Sequence, residues 1–436
     1  MWLLPKFLDR IVRKGRLRLV HPDGTVSVHG GAEPGPEVTV RVADSRLDRK
    51  IPLNPELAVA EAYMDGSLTI EDGGTIVDLL AVAIGNRDHL QQTASQRVLR
   101  VARRASRFAA QYNPRERARR NAAHHYDLGN AFYRLWLDWD MQYSCAYFPD
   151  GDETLEEAQT AKKRHIAAKL RLEPGMRVFE IGCGWGGLAL YLAAVADVDV
   201  HAVTLSKEQL AIAQARAKAA GLSDRVRFEL VDYRDVQGRY DRVVSVAMLE
   251  AVGVGHLGEY FSHVRDRLGP RGVALVHTIS QIDPPGSTSP FMRKYIFPGA
   301  YPPRLSEVAR ALETTGLRCT DVEVWRGHYA RTLRIWRERF EAHRATVEAT
   351  FDARFARMWE FYLASVEMYF ATGFSHVLHV QMAREHDAVP LHRDYIAPAA
   401  AAFAAREPAA LARLEAATAK VFGEVGDRPT ALGAAG

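Results

Sequence analysis

The chain has 436 residues, enough for two or three domains, and its 47% hydrophobic and 25% charged side chains are typical of a globular protein. The net charge of +4 is too small to argue for nucleic acid as a partner, and Cys145, Cys183 and Cys319 lack the spacing of a disulfide framework or a zinc site. No apolar run approaches the roughly 18 residues of a membrane span. We therefore expect a cytoplasmic protein with a mature N-terminus.

The first part of the chain, to about residue 90, mixes a short amphipathic helix near residues 7–14 with alternating strands such as 38–42. This pattern predicts a small α+β domain. An arginine-rich stretch follows, which is either a solvated connecting helix or a cationic face for anionic lipid headgroups. Its basic residues are Arg97, Arg100, Arg103, Arg104, Arg107, Arg115, Arg117, Arg119 and Arg120.

From residue 152 to about residue 280, helical and strand patterns alternate, which predicts a doubly wound, Rossmann-like α/β core with a parallel sheet. Predicted strands lie at 177–181, 198–203, 226–230, 242–246 and 272–279, and predicted helices at 152–173, 207–220 and 260–268. The proline- and aromatic-rich residues 283–303 predict a lid loop. Helical patterns return over 331–384, and we expect the alanine-rich tail from 397 to fray.

The strongest local motif is EIGCGWGG at 180–187, directly after a strand and at the start of a helix. Glycines there allow the backbone to approach a ligand at the carboxyl edge of the sheet. A dinucleotide site fits poorly, because no acid is placed to bind ribose at the end of the next strand. Glu180 followed by GxGxG is instead the S-adenosylmethionine pattern.

Further motifs give the chain a specific resemblance. In order they are HYDLGN at 125–130, MQYSCAY at 141–147, the glycine stretch, TLSKEQ at 204–209, SVAMLE at 245–250, HTI at 277–279, FPG at 297–299 and HY at 328–329. The chain resembles the cyclopropane-fatty-acyl-phospholipid synthases, including the mycolic acid cyclopropane synthases, over roughly residues 120–395. The resemblance implies a class I methyltransferase domain.

The resemblance also implies the reaction and its site. A methylene group from S-adenosylmethionine is expected to enter the double bond of an unsaturated phospholipid acyl chain, and a bound bicarbonate ion, rather than a metal, is expected to deprotonate the carbocation. The implied bicarbonate ligands are the backbone of Cys145 and Ile279 and the side chains of Glu250, His277 and Tyr329. The implied cofactor site contains Tyr143, Ser144, Glu180, Gly182, Cys183, Gly184, Trp185, Gly186, Thr204, Leu205, Gln209, Asp232 and Tyr233.

We predict three regions: an N-terminal lipid-associated domain with its basic connector (1–115), the methyltransferase domain with lid 283–303 (116–396), and the tail (397–436). The expected partners are phospholipid acyl chains and, peripherally, an anionic membrane surface on the inner face, with apolar residues of the lid giving the acyl chain a route. A homodimer stays open. Aromatic residues at Tyr143, Tyr147, Trp185, Phe291 and Tyr295 suit a carbocation as a group.

Two departures from the family pattern leave alternatives open. The usual Glu-His pair reads Glu250-Ala251 here, and the late cysteine of many members is absent from the segment around 362–370. The first departure leaves a methyl-branched or exomethylene product open beside the cyclopropane ring. A lipid-binding relative with a decayed cofactor site is the alternative from another functional class.

Overall fold

The computed structural model describes residues 3–31, 33–93, 95–99, 101–102, 111 and 128–425. These residues form two compact units, each discontinuous in sequence. The first contains 1–110, 283–298 and 333–374, and the second contains 111–282, 299–332 and 375–436. Most of the arginine-rich stretch lies outside the described residues. No helix in the described part of the chain is long and apolar enough to cross a membrane.

The first unit is built on a four-stranded sheet in the order β2-β1-β3-β4, in which only the β1/β3 pair is parallel. Alternation of buried valines and leucines with polar residues explains these strands, as predicted for 38–42. The elements are α1 (Leu3–Ile11), β1 (Lys14–Val20), β2 (Val26–Gly30), β3 (Glu33–Val42), α2 (Leu47–Leu53), α3 (Pro55–Met64), β4 (Leu68–Glu71), α4 (Ile76–Gly85) and α5 (Arg87–Gln91).

Residues 283–298 and 333–374 also belong to this unit. Local sequence patterns did not predict that these later segments join the N-terminal one. The predicted lid contains a short helical turn, Met292–Ile296, within the part that belongs to the first unit. Phe291 in the lid is buried against Phe361, with ring centroids 4.9 Å apart. Phe291 and Ile296 are therefore core residues of this unit rather than exposed apolar side chains.

The second unit contains a seven-stranded sheet in the order β10-β11-β9-β8-β5-β6-β7, and it confirms the doubly wound α/β class. Strands β5 to β9 run parallel, while β11 is antiparallel to both neighbours. The strands are β5 (Arg177–Ile181), β6 (Asp199–Thr204), β7 (Val226–Leu230), β8 (Tyr240–Val246), β9 (Leu268–Gln281), β10 (Arg318–Trp325) and β11 (Ser375–Ala383).

Helices cover both faces of this sheet, because its central strands are apolar on both sides. Thr154 and Glu157 form a reciprocal capping box at the start of α7. The helices of this unit are α6 (Asn130–Arg134), α7 (Leu155–Lys169), α8 (Gly187–Ala196), α9 (Lys207–Ala219), α10 (Leu257–Arg267), α11 (Leu305–Glu313), α15 (Ile396–Ala404) and α16 (Glu407–Val425). The helix α12 (His328–Ala342) begins in this unit and continues in the first, to which α13 (Arg344–Thr350) and α14 (Ala353–Ala371) belong.

Two sequence predictions are wrong in this part of the chain. The helical pattern predicted over 331–384 ends before β11, whose residues are buried on both faces and therefore lack strand-like alternation. The tail does not fray over 397–425, because Phe403, Leu414 and Ala417 on α15 and α16 pack into the core beside α8 and α9. Alanine favours helices and allows this close packing.

Candidate active site

The candidate site lies at the carboxyl edge of the large sheet, where successive parallel strands end. The glycine stretch follows β5, Thr204 ends β6, and a helical turn carrying Glu250 follows β8. His277 and Ile279 lie near the carboxyl end of β9. Ligands of open α/β sheets bind at this edge, so one fold feature brings the separate motifs together.

The glycines of the 180–187 stretch differ in function. Gly182, Gly184 and Gly186 have positive φ angles of 85°, 52° and 84°. A Cβ at Gly186 would lie 2.7 Å from Phe228, and one at Gly187 would lie 2.3 Å from Gln142, so these two glycines are required by packing. A Cβ at Gly184 would meet no atom within 4 Å. Gly184 is therefore the position that leaves open space for a ligand.

Glu180 at the end of β5 is buried, and its Oε2 makes no hydrogen bond with the described residues. The backbone N–H of Ala189, in the first turn of α8, donates to the carboxyl group. Burial raises the pKa of Glu180 to about 8. Cys183 is also buried, and burial raises the pKa of its thiol well above the ordinary range, so the thiol is not a nucleophile here.

The TLSKEQ motif joins β6 to α9. Ser206 caps the helix, because its Oγ accepts from the backbone N–H of Gln209 at 3.3 Å. Thr204 Oγ1 donates to Gln209 Oε1 at 3.2 Å, and Leu205 between them is half-buried. Thr204 and Gln209 therefore lie together beside the glycine stretch, where the backbone N–H groups of Gly182 and Cys183 donate to the carbonyl of Val203.

Asp232 and Tyr233, the residues predicted near adenine, follow β7 at the same edge. Asp232 is buried and accepts two hydrogen bonds from the guanidinium of Arg234, at 2.8 and 2.7 Å. The Tyr233 ring contacts Tyr260 edge to face at 5.5 Å, and burial raises the pKa of its hydroxyl. Asp232 and Tyr233 thus place a carboxylate and an aromatic ring beside the carboxyl end of β7.

An aromatic cluster stands beside the glycine stretch. The ring of Tyr133 lies 5.6 Å from Tyr143 and 5.1 Å from Trp185, and Trp136 lies 5.3 Å from Tyr143. Trp185 Nε1 donates to Asn130 Oδ1 at 2.6 Å. Asn130, the last residue of the HYDLGN motif, thus begins α6, which packs against two of the predicted cofactor residues.

The five predicted aromatic residues are divided between the two units. Tyr143 and Trp185 are linked through Tyr133, whereas Tyr147 stacks on Trp325 at 4.6 Å. Phe291 and Tyr295 pair with each other in the first unit. One aromatic site that contains all five residues stays a prediction, because its members belong to different units.

Glu250 is the best-defined of the predicted bicarbonate ligands. Its Oε1 accepts from the backbone N–H of Ile279 at 2.6 Å, so this N–H serves the carboxyl group. Its Oε2 is buried and has no hydrogen-bond partner among the described residues. Burial raises the pKa of Glu250, which favours a proton on Oε2. Ala247, three residues earlier, has φ +54°, a strained conformation that directs the turn.

His277 is buried and makes a hydrogen bond with a second buried histidine, His379 on β11. The two ring atoms, His277 Nδ1 and His379 Nε2, lie 2.8 Å apart. Burial lowers the pKa of both rings well below the ordinary value, so both are neutral. Trp325 packs against both, with ring centroids 5.6 Å from His277 and 3.9 Å from His379.

Cys145 and Tyr329 are brought together through their neighbours. The backbone N–H of Ala146 donates to Thr332 Oγ1 at 3.1 Å, and that of Phe148 donates to His328 Nδ1 at 3.1 Å. Tyr329 lies between these two partners in the first turn of α12 and is buried. Burial raises the pKa of the Cys145 thiol, which leaves only its backbone for a ligand role.

Sequence reasoning missed a buried ionic network beneath the cofactor residues. Asp140 Oδ2 accepts from Lys163 and from Gln142, and Asp140 Oδ1 accepts from Arg216. Arg216 also donates to the carbonyl of Trp185 at 2.8 Å and to Thr418 Oγ1 at 3.0 Å. Although burial raises the pKa of Asp140, the two cations outweigh it and the net shift is downward. The network ties the glycine stretch to α7, α9 and α16.

Lys162 belongs to the same network and holds the segment that contains Tyr143 and Ser144. Its Nζ donates to Gln142 Oε1 and to Ser144 Oγ, both at 2.7 Å. Gln159 donates to the carbonyl of Ser144 at 3.0 Å. Burial lowers the pKa of Lys162 to about 7. The segment is thus fixed by polar and charged side chains of α7.

Comparison with known proteins identifies the family. A family model described as mycolic acid cyclopropane synthetase matches residues 113–380, more than half of the chain. The chain belongs to the mycolic acid cyclopropane synthetase family. The resemblance predicted from the motifs is thereby confirmed.

Several known proteins are similar in sequence to most of this chain. The chain is 37% identical over 394 residues to a tuberculostearic acid methyltransferase of Mycobacterium tuberculosis, with 87% of this chain and 90% of that protein covered. It is 37% identical over 344 residues to the cyclopropane-fatty-acyl-phospholipid synthase of Escherichia coli K12, with 78% of this chain and 85% of that protein covered. It is 36% identical over 352 residues to a probable fatty acid methyltransferase of Pseudomonas putida, with 78% of this chain and 86% of that protein covered.

Solved structures give the same assignment. A cyclopropane synthase from Mycobacterium tuberculosis aligns with a TM-score of 0.58 and 33% identity, covering 62% of this chain and 99% of that one. A mycolic acid cyclopropane synthase in complex with SAH and CTAB aligns with a TM-score of 0.58 and 30% identity, with the same coverage. This member of the synthetase family is an S-adenosylmethionine-dependent methyltransferase that modifies lipid acyl chains.

Proposed function

We propose that the chain adds a methylene group from S-adenosylmethionine to the double bond of an unsaturated phospholipid acyl chain and closes a cyclopropane ring. The observation that carries this proposal is the Glu250 carboxyl group, whose buried Oε2 has no partner among the described residues. A buried polar atom left unpaired costs about 1–3 kcal/mol, which a structure tolerates best where a ligand completes the bonding.

The cofactor residues fit S-adenosylmethionine. Gly184 leaves open space at the sheet edge, and Glu180 presents a buried carboxyl oxygen that no described residue binds. When bound, S-adenosylmethionine supplies an electrophilic methyl group on a positively charged sulfur. The aromatic rings of Tyr143 and Trp185 tolerate positive charge and exclude water from this part of the site.

The chemistry requires a base. The alkene π electrons form a bond to the methyl carbon while the carbon–sulfur bond breaks, and the acyl chain is left with a carbocation. A proton must then leave the added methyl group so that its electron pair can close the third side of the ring. His277 has a pKa well below its ordinary value, and Glu250 Oε1 already accepts from the backbone N–H of Ile279, so we assign to these residues the task of holding a base.

The Glu250 and His277 positions fit a bicarbonate ion as that base. Bicarbonate, when bound, accepts the proton. Two carboxylate-like anions repel each other unless a proton is shared, and the upward shift that burial gives the pKa of Glu250 supports such sharing. The family's usual histidine after the glutamate is replaced here by Ala251. The Ala251 side chain is exposed, whereas the unpaired oxygen of Glu250 is buried.

The product tests the proposed function. Purified protein incubated with S-adenosylmethionine and vesicles of a monounsaturated phospholipid should convert the acyl chain to one that is heavier by one CH₂. Proton NMR should show cyclopropane protons with loss of the olefinic signals. An unmodified acyl chain, or an exomethylene group, would contradict ring formation.

The dependence of ring formation on bicarbonate tests whether a bound bicarbonate ion is the base. Removal of dissolved carbon dioxide under nitrogen should reduce ring formation at least tenfold, and added bicarbonate should restore it, because proton abstraction contributes about 10²–10⁴-fold to such reactions. A metal chelator should have no effect. Loss of activity with chelator, reversed by a specific metal ion, would replace bicarbonate with a metal site.

A methyl-branched product is the second candidate, because two of the similar proteins are named as fatty acid methyltransferases. The NMR spectrum of the product separates the two. Binding to an anionic membrane surface stays a prediction, since most of its arginines lie outside the described residues.

A further inference from the structure

The buried histidine pair behind the proposed base site has a consequence for proton positions. His277 and His379 lie opposite each other in the antiparallel register of β9 and β11. Their rings join through His277 Nδ1 and His379 Nε2. Since both rings are neutral, the pair carries two ring protons, and one of them lies in the hydrogen bond between the rings.

The second proton has two sites available, at opposite ends of the pair. One is His379 Nδ1, which is buried and has no hydrogen-bond partner among the described residues. The other is His277 Nε2, on the ring that we assign to the anionic base. A proton on His379 Nδ1 would bury an N–H without an acceptor and would turn a bare nitrogen of His277 toward the anion. Both consequences are unfavourable.

The surroundings of His379 favour the same arrangement. Lys169 has a fully buried Nζ that pairs with Asp321 at 2.6 Å and Glu323 at 3.0 Å, and His165 Nε2 lies 2.8 Å from Glu323 Oε2. Arg393 lies 3.4 Å from the same oxygen, so Glu323 Oε2 is already engaged by three partners. The Trp325 ring covers the His379 ring, with centroids 3.9 Å apart, and both side chains are buried.

We propose that His379 is a positioning residue that donates from Nε2 to His277 Nδ1 and thereby fixes His277 as the Nε2–H tautomer, a hydrogen-bond donor to the anionic base. This inference rests on the proposed function for the role of that donor. It concerns tautomer and orientation only, and His379 itself contacts no reacting atom. Partners that set the tautomer in this way are common behind functional histidines.

Nitrogen NMR of protein with ¹⁵N-labelled histidine tests the tautomer without any substrate. In the parent protein, His277 should show a protonated Nε2 and an unprotonated Nδ1, and His379 the same. His379→Leu should release His277 into a mixture of tautomers and lower kcat at least tenfold, with unchanged affinity for S-adenosylmethionine. His379→Gln, whose amide also donates, should restore the Nε2–H tautomer and most of the turnover.

His201→Leu is the matched control, because it removes a half-buried, hydrogen-bonded histidine from β6 of the same sheet. It should leave the His277 signals unchanged. A protonated Nδ1 on His277 in the parent protein would overturn the inference, and so would a His379→Leu variant with parental tautomer and turnover. If the tautomer is as expected but no ring product forms, the proposed function fails and the tautomer assignment stands.

Discussion

Gly184→Leu should abolish S-adenosylmethionine binding while the protein stays folded. A side chain at this position projects into open space, so the variant meets no steric clash in the protein and fills the volume left for the ligand. The positive φ of 52° costs about 1–2 kcal/mol for a residue other than glycine, which a domain of this size tolerates. Calorimetry should show affinity reduced by roughly a hundredfold or more, about 2.7 kcal/mol.

Gly221→Leu provides the matched control for that variant. Gly221 follows α9, has a φ of 63°, and likewise has no atom within 4 Å of an added Cβ. Both variants should lose similar thermal stability, because the backbone cost is the same. Only Gly184→Leu should lose the cofactor, and parental affinity in that variant would remove the glycine stretch from the cofactor site.

Glu250→Ala should reduce turnover by about 10²–10³-fold, the range expected when a group that holds a catalytic base is removed. The variant leaves the backbone N–H of Ile279 without its acceptor and removes the only carboxyl group that we assign to the base. Affinity for S-adenosylmethionine should stay close to the parental value. Steady-state kinetics and calorimetry measure the two effects separately.

Glu250→Gln distinguishes a protonated from a charged carboxyl group at this position. Its amide still accepts from Ile279 and donates where the Glu250 proton would, so turnover should fall only about tenfold. Glu259→Gln, on the exposed side of α10, is the control and should have no effect. Equal losses in the Gln and Ala variants would contradict a protonated Glu250, and parental turnover in Glu250→Ala would remove the residue from the site.

Local sequence patterns predicted the central strands of the large sheet, but they did not predict which segments group into one unit. Glycines with positive φ and short apolar strands are local features, so the turn after β5 and strands β5 to β9 were found. Strand β11 was missed because its register is set by β9 and β10, far away in sequence. His379 was missed with it.

Long-range packing also explains the other omissions. Lys162 and Lys163 resemble a solvated helix face in sequence, and only the fold brings Asp140 to them. Buried charges of this kind cannot be recognised until their partners are known. The regrouping of the lid with the N-terminal unit has the same origin, since Phe291 is buried by α14, about 70 residues later in the chain.

The central claim, that a proton leaves the transferred methyl group to close a ring, is tested most directly with S-adenosylmethionine that carries a trideuterated methyl group. Mass spectrometry counts the deuterium in the product acyl chain, and deuterium NMR locates it. We expect exactly two deuterium atoms on a cyclopropane carbon, because the third passes to the base. Three deuterium atoms on a methyl branch, or two on an sp² carbon, would contradict the account.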